Sequence, residues 1–315
     1  MVTARDDVVA THDEVGRANG DRRERGGPAG LIARHGMSAF FVLAFALSWL
    51  AWVPYVLSAN GLGVLDFGFP RLLGTTQLLG VLPGAYLGPI TAAFVVTAVG
   101  EGRAGLRRWT GRLLRWRVNW RWYFFILLGV PVVITAFSIP WSGGHILAPP
   151  MLLVAAYLPS LVLQMLTTGI AEEPGWRDFA LPHLQPRFGP VRGTLILGPL
   201  WGMWHLPLFL TEWGGWPDVA WWRPLEFVLT CVPISIVMTW VFNRTGESLP
   251  LAMLLHTSIN NFMSTAWSAM FPTIDAQHTS TTILLNASTA VAIVLLVITR
   301  GRLGYRGRVT PTRRR

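Results

Sequence analysis

The chain has 315 residues, of which 52% are apolar and only 13% charged, against about a quarter charged in an ordinary soluble domain. That balance excludes a water-soluble globular protein, and the single cysteine, Cys231, placed inside an apolar run, excludes a disulfide framework and a cysteine-based metal site. The formal net charge of +10, carried entirely on arginine, calls for no nucleic-acid partner, because the arginines cluster where membrane topology places cations.

Residues 1–36 set six arginines against six acidic residues, are rich in glycine and contain no aromatic side chain. Such a segment buries too little apolar surface to offset the entropy of ordering, so a disordered cytoplasmic tail is expected. It lacks the short apolar core and small-residue cleavage site of a signal peptide. Eight apolar runs follow across residues 37–299: Met37 to Ser58, Leu73 to Val99, Trp122 to Ile139, Met151 to Ile170, Val191 to Leu210, Leu225 to Phe242, Leu249 to Met270 and Thr282 to Thr299. Each is close to the ~20 residues that cross a hydrocarbon core as a helix. A basic tail, 300–315, closes the chain.

The connection from Glu101 to Arg121 and the tail from Arg300 carry seven arginines each, and the segment after the fourth run has Arg177, Arg187 and Arg192. The alternate connections hold only Arg71 and Arg223. The positive-inside rule then predicts an all-α, polytopic transmembrane bundle of about eight spans with both termini in the cytoplasm, set in a bacterial plasma membrane. Between Arg103 and Trp120, Leu106, Trp109, Leu113, Leu114 and Trp116 alternate with arginines, which fits either an amphipathic helix at the headgroup level or a basic, aromatic-anchored flank of the next span. There is no internal repeat of the kind that builds inverted-repeat transporters.

Polar side chains interrupt three of the runs. Glu172 and Glu173 close the fourth, with Arg177 one turn on. A charge at bilayer depth costs roughly 2.5–3.5 kcal/mol even on the most lenient scale, so a function is the default reading and an interfacial ion pair the plainer one. At i,i+4 spacing Glu173 and Arg177 can pair, while Glu172 is rotated by about 100° onto another face. Pro174 predicts a kink or local unwinding at the acidic pair. Yet Trp176, Phe179, Ala180 and Leu181 predict that the helix continues beyond it and carries the pair inward, since at 1.5 Å per residue His256 lies about 10 Å and His205 about 20 Å from the arginine-rich boundary. His205 follows Trp201 by four residues, and His256 and Asn260 share one face of the seventh run. Each could serve as a structural donor between helices. Together, the Glu, two His and Asn include what amide hydrolysis requires: a base for water, a proton carrier and donors for an oxyanion.

The segments AEEPGWRDFALPHLQ, LWGMWHLPLFL and LAMLLHTSINN resemble the three motifs of the CPBP family of intramembrane proteases, also called the CAAX-protease or Abi family: EExxxR, an aromatic residue four before a His, and HxxxN or HxxxD. The resemblance covers roughly residues 100–261. It implies an eight-helix membrane endopeptidase of the kind that includes the eukaryotic Ras-converting CAAX endopeptidase, acting on a membrane-associated peptide or protein. Carried over by position, Glu172 and His205 would activate water, His256 and Asn260 would stabilise the oxyanion, and Glu173 and Arg177 would hold the site's shape. The family is described both as metal-dependent and as a metal-free glutamate type. The cofactor is therefore either zinc, for which Glu172, His205 and His256 could converge as ligands, or none. Asp178 stands where the family usually has Gly, and His183 where Arg is common. Two further readings remain open: a non-catalytic bacteriocin-immunity or scaffolding protein of the same fold, and a proton-coupled transporter.

Overall fold

In a computed structural model, which describes residues 28–307, the apolar runs form helices that pack side by side. There is no β-strand among the described residues. The principal helices are α1 (Pro28–Arg34), α2 (Gly36–Leu57), α3 (Thr91–Leu113), α4 (Trp120–Ser138), α5 (Met151–Gln164), α6 (Ile170–Gly175), α7 (Leu181–Trp204), α8 (Arg223–Arg244), α9 (Leu249–Asn261) and α10 (Ala276–Ile298). α1 lies within the segment read as a tail; residues 1–27 of that segment, and residues 308–315 of the basic tail, lie outside the described residues.

Six helical stretches among the described residues are long and apolar enough to cross a membrane: Gly36–Leu57, Leu82–Leu113, Trp120–Ser138, Met151–Leu210, Arg223–Arg244 and Ala276–Ile298. The fourth of these is 60 residues long, about 90 Å at 1.5 Å per residue and so about three times a ~30 Å core. It is broken at Gly189, whose φ of 77° and ψ of 166° lie where a residue with a Cβ is strained. The seventh expected run, α9 and its extension to Met270, is helical but is not among the six. His256, Thr257, Ser258, Asn260, Asn261, Ser264 and Thr265 dilute its apolar character.

The outward faces carry Val42, Leu50, Phe94, Phe124, Leu152, Leu158, Val294 and Val297, all exposed, as a lipid-facing surface requires. Inside, tryptophan dominates. Trp52, Trp204 and Trp267 are fully buried, and a buried indole usually finds an acceptor for its N–H. Trp52 donates to the Val81 carbonyl (2.7 Å), Trp204 to Ser48 Oγ (2.7 Å) and Trp267 to Ser138 Oγ (2.8 Å). α7 and α8 approach closely because Gly198 and Gly202 of α7 face α8: a Cβ built on Gly202 would sit 2.7 Å from Val228 Cα, the small-residue contact by which membrane helices pack without a hydrophobic driving force.

The arginine-rich connection resolves into an amphipathic helical arm. Gly102 (φ 61°, ψ −153°) breaks α3, and the arm beyond it buries Trp109 while Arg107 and Arg108 stay exposed. It belongs to the preceding helix, because α4 starts afresh at Trp120 under an Asn119 cap whose side chain accepts from Arg121 N–H at 3.0 Å. The arm lies against the acidic-pair helix: Trp109 donates to the Pro174 carbonyl at 3.0 Å, and Arg112 bonds the Asp178 side chain, the Asp178 carbonyl (3.1 Å) and Glu247 (2.9 Å).

Candidate active site

The site begins with the backbone around Pro174. Proline offers no N–H and crowds the carbonyl four residues earlier, yet α5, α6 and α7 run on without unwinding. The slack is taken up in two wide turns on either side of the acidic pair, where Ile170 N–H reaches back five residues to Met165 and Leu181 N–H to Trp176. Such π-turns rotate the side chains that follow and recur at functional sites. The helix therefore continues past Pro174, as its apolar residues predict, and Glu172, Glu173, Arg177 and Asp178 are all buried.

The two glutamates do point to different partners. Glu172 Oε2 accepts from the indole N–H of Trp201 at 2.8 Å and lies 4.0 Å from His205 Nε2. Glu173 Oε1 meets His256 Nδ1 at 2.8 Å, and its Oε2 lies 3.4 Å from Arg177 Nε, an ion pair without a hydrogen bond. The Arg177 guanidinium stacks 4.5 Å from the centre of the Trp201 ring and reaches Ser235 Oγ (3.3 Å) and Met238 Sδ (2.9 Å). Asn260 Nδ2 lies 3.3 Å from His256 Nε2. Trp201 also stands edge-on to His256, their ring centres 5.1 Å apart. One indole thus touches Glu172, Arg177 and His256.

Hydrogen bonding fixes the histidine tautomers. His205 Nδ1 faces the Trp201 carbonyl at 3.0 Å and His256 Nδ1 faces a carboxylate oxygen; both acceptors demand a proton on Nδ1, which leaves Nε2 as the lone-pair nitrogen of each neutral ring. His205 is clamped by Trp204, Trp213 and Phe227, the Trp213 ring being nearly parallel to it at 5.7 Å.

Glu172, His205, His256 and Asn260 all line a single cavity of about 800 Å³. Glu173 and Arg177 stand behind it, among the residues that orient His256 and Trp201. Sequence spacing paired Glu173 with Arg177 but did not reveal that Glu173 is the partner of His256, 83 residues away. Nor did it reveal Trp201 as a donor to Glu172, although the motif marks an aromatic residue there. The Arg112–Asp178–Glu247 cluster was equally hidden, because Asp178 read only as a departure from a glycine and its partner is 66 residues distant. His183, the other departure, bonds its own helix through the Phe179 carbonyl at 2.6 Å.

The cavity runs away from the arginine-rich end. It is lined by Leu73, Gly74, Gln77 and Ala276, all exposed at the arginine-poor ends of the helices. Counting residues gives depth, but the Trp109–Pro174 contact and the Arg112 cluster, which close the arginine-rich side, arise from tertiary packing.

The ligand-type atoms that converge within 4.8 Å belong to Glu172, Glu173 and His256, not to the zinc set expected from sequence. Glu173 is already engaged by His256 and Arg177, the arrangement of a carboxylate that orients a ligating histidine. Glu172, His205 and His256 share the cavity and are of ligand type, but they do not converge as a set within 4.8 Å and the Asn260 amide faces His256 Nε2, so a cation on these three would require the side chains to draw together and Asn260 to turn away.

Residues 154–262, which include all six of the site residues named from the sequence, match the family described as Type II CAAX prenyl endopeptidase Rce1-like. A protein named CAAX prenyl protease 2 from Methanococcus maripaludis is 29% identical over 138 residues, covering 43% of this chain and 48% of that protein. The chain thus spans about half the length of the curated relative it matches.

Proposed function

We propose that this chain, which belongs to the CPBP family of CAAX-type prenyl endopeptidases, is an integral membrane endopeptidase with eight crossings that hydrolyses a peptide bond of a membrane-associated substrate. The observation that carries the reading is the convergence of Glu172, His205, His256 and Asn260, from three separate helices, on one cavity.

Glu172 Oε2 and His205 Nε2, 4.0 Å apart, are too far for a direct hydrogen bond but can both hold one water at about 2.8 Å. Either can take its proton as it attacks the carbonyl carbon. Trp201 keeps Glu172 aimed through its N–H, and the Trp201 carbonyl keeps His205 Nε2 unprotonated until then. His256, backed by Glu173, becomes a donor from Nε2 once protonated; with the Asn260 carboxamide beside it, the pair supplies N–H groups where the tetrahedral intermediate develops negative charge. The proton held by Glu172 or His205 then passes to the leaving amine. A divalent cation on Glu172, His205 and His256 would lower the pKa of bound water. Under the positive-inside rule both termini lie in the cytoplasm and the cavity mouth on the opposite side of the membrane.

The test is cleavage of membrane-peptide libraries by the reconstituted protein beside Glu172→Gln, which keeps the side chain's shape and removes the base. Turnover should vanish while thermal unfolding stays unchanged; a folded Glu172→Gln protein that still cleaves would overturn the assignment. Parallel dialysis against a chelator separates a cation-dependent site, which loses turnover, from a metal-free one, which does not.

A further inference from the structure

His205 closes α7, and the chain just beyond it has little support of its own: Leu206–Leu210 is a short 3-10 turn, and residues 211–222 form a loop. The ring is held at one atom, with Nδ1 3.0 Å from the Trp201 carbonyl. A single hydrogen bond fixes a tautomer but leaves the ring plane free to tilt, because it tolerates bending of roughly 30°. Trp213, which returns to the site from the loop, removes that freedom. Its ring lies 14° from parallel to the imidazole with centres 5.7 Å apart, while Trp204 and Phe227 meet the same ring edge-on at 4.6 and 5.0 Å. The indole therefore sets the plane in which Nε2 points towards Glu172, 4.0 Å away.

A side chain on a loop can orient another only where the loop is itself held, and the adjacent residue, Glu212, holds this one. Its N–H donates to the Asn60 carbonyl at 2.8 Å, its Oε2 pairs with Arg71 at 3.2 Å, and its Oε1 accepts from the hydroxyl of Thr76, 136 residues away in sequence. Because Thr76 commits its one proton to Glu212, Tyr55, 2.7 Å from Thr76 Oγ1, is the donor in that pair. The chain Tyr55, Thr76, Glu212 thus ends on a carboxylate, and hydrogen bonds to a charged acceptor are roughly twice as strong as neutral ones. Tyr55 and Thr76 are both buried. On its own side the loop is wound tightly. The N–H groups of Gly214 and Trp216 both reach the Thr211 carbonyl (3.0 and 3.1 Å), and a Cβ on Gly214 would collide with Phe209 Cα. Displacing Glu212 therefore displaces Trp213, whose Cα is about 3.8 Å along the chain.

We propose that Glu212 and Trp213 are positioning residues for His205: Glu212 fastens the loop after α7 to the segment around Thr76, and Trp213, carried by that loop, holds the imidazole plane so that Nε2 faces the water shared with Glu172. Neither residue gives or takes a proton in the reaction, and both lie outside the three sequence motifs. The proposal rests on the endopeptidase reading, in which His205 and Glu172 activate water.

The full chain, reconstituted in vesicles, is compared with Trp213→Leu, Trp213→Phe, Glu212→Ala and the Trp213→Leu, Glu212→Ala double variant on a membrane peptide that the wild type cleaves. Trp213→Leu should lower kcat about 10- to 100-fold with KM nearly unchanged, the scale on which a misplaced catalytic group loses rate. Trp213→Phe, which restores an aromatic face, should recover most of it. Glu212→Ala should lower kcat in the same way, and the double variant should be little worse than Trp213→Leu alone, as for residues acting through one group. A raised KM with kcat unchanged would make Trp213 a substrate contact and overturn the proposal, as would turnover that falls only in proportion to folded protein. Nitrogen NMR signals of the His205 ring, assigned with His205→Gln in detergent, give a readout that needs no turnover. The wild type should show a proton fixed on Nδ1, and Trp213→Leu and Glu212→Ala mixed tautomers, because a tilted ring loses the Trp201 carbonyl. That change in a protein that cleaves nothing sustains the positioning and removes the endopeptidase reading, whereas unchanged His205 signals in folded variants overturn the positioning whatever the turnover. If Trp213→Leu fails to fold, Glu212→Ala carries both readouts, and failure of both to fold counts against the proposal.

Discussion

Replacing Arg177 with Ala tests the frame behind the cavity. The guanidinium is fully buried, lies 3.4 Å from Glu173, and packs on Trp201, Ser235 and Met238. Its removal leaves Glu173 in the interior with His256 as its remaining partner. Breaking a buried pair from one side typically costs about 3–5 kcal/mol, because the other charge is left uncompensated, and the lost stacking on Trp201 acts in the same direction. At about 2–4 °C per kcal/mol for a chain of comparable size, the unfolding midpoint should fall by on the order of 10 °C. The assay is thermal unfolding in detergent, with Glu173→Gln and the double variant as controls. Since Glu173→Gln removes the stranded charge, the double variant should be more stable than Arg177→Ala alone, a coupling the cycle measures directly. A loss below about 1 kcal/mol for Arg177→Ala, the range of exposed ion pairs, would refute the claim that this pair is a buried structural element.

The remaining expectations concern turnover and orientation. Asn260→Ala should lower turnover about 100- to 1000-fold with little change in substrate binding, the usual effect of losing one oxyanion donor, and adding His256→Ala should cost less than the product of the two single effects; near-normal turnover in folded Asn260→Ala removes the oxyanion role. Trp201→Phe keeps the aromatic packing but deletes the N–H donated to Glu172, so turnover should drop by one to two orders of magnitude, as when a hydrogen bond to a charged group is lost at about 1.5–3 kcal/mol; an unchanged kcat would show that Glu172 is aimed by something else. Reporter fusions should place the arm around Arg107 and the carboxyl terminus in the cytoplasm and the segment around Leu73 outside, and the reverse pattern would put the cavity mouth on the cytoplasmic side.

The helical bundle, its approximate crossings and the four cavity-facing residues were legible along the chain, because each rests on a local period or a local cost. Some twenty apolar residues make a span, i,i+4 spacing makes a shared face, and a charge or histidine inside a span demands a reason. The same logic separated Glu172 from Glu173 by rotation and foresaw helix beyond Pro174 from Trp176 to Leu181. What tertiary structure alone decided is which distant groups meet: His256 on Glu173, Trp201 between Glu172 and Arg177, and Arg112 against Asp178 and Glu247. It also decided which end of the cavity is sealed. Helical periodicity fixes the face on which a side chain lies but not the neighbour that face meets, and closure by Trp109 on the Pro174 carbonyl depends on how the arm after Gly102 folds back, a packing choice with no signature along the sequence.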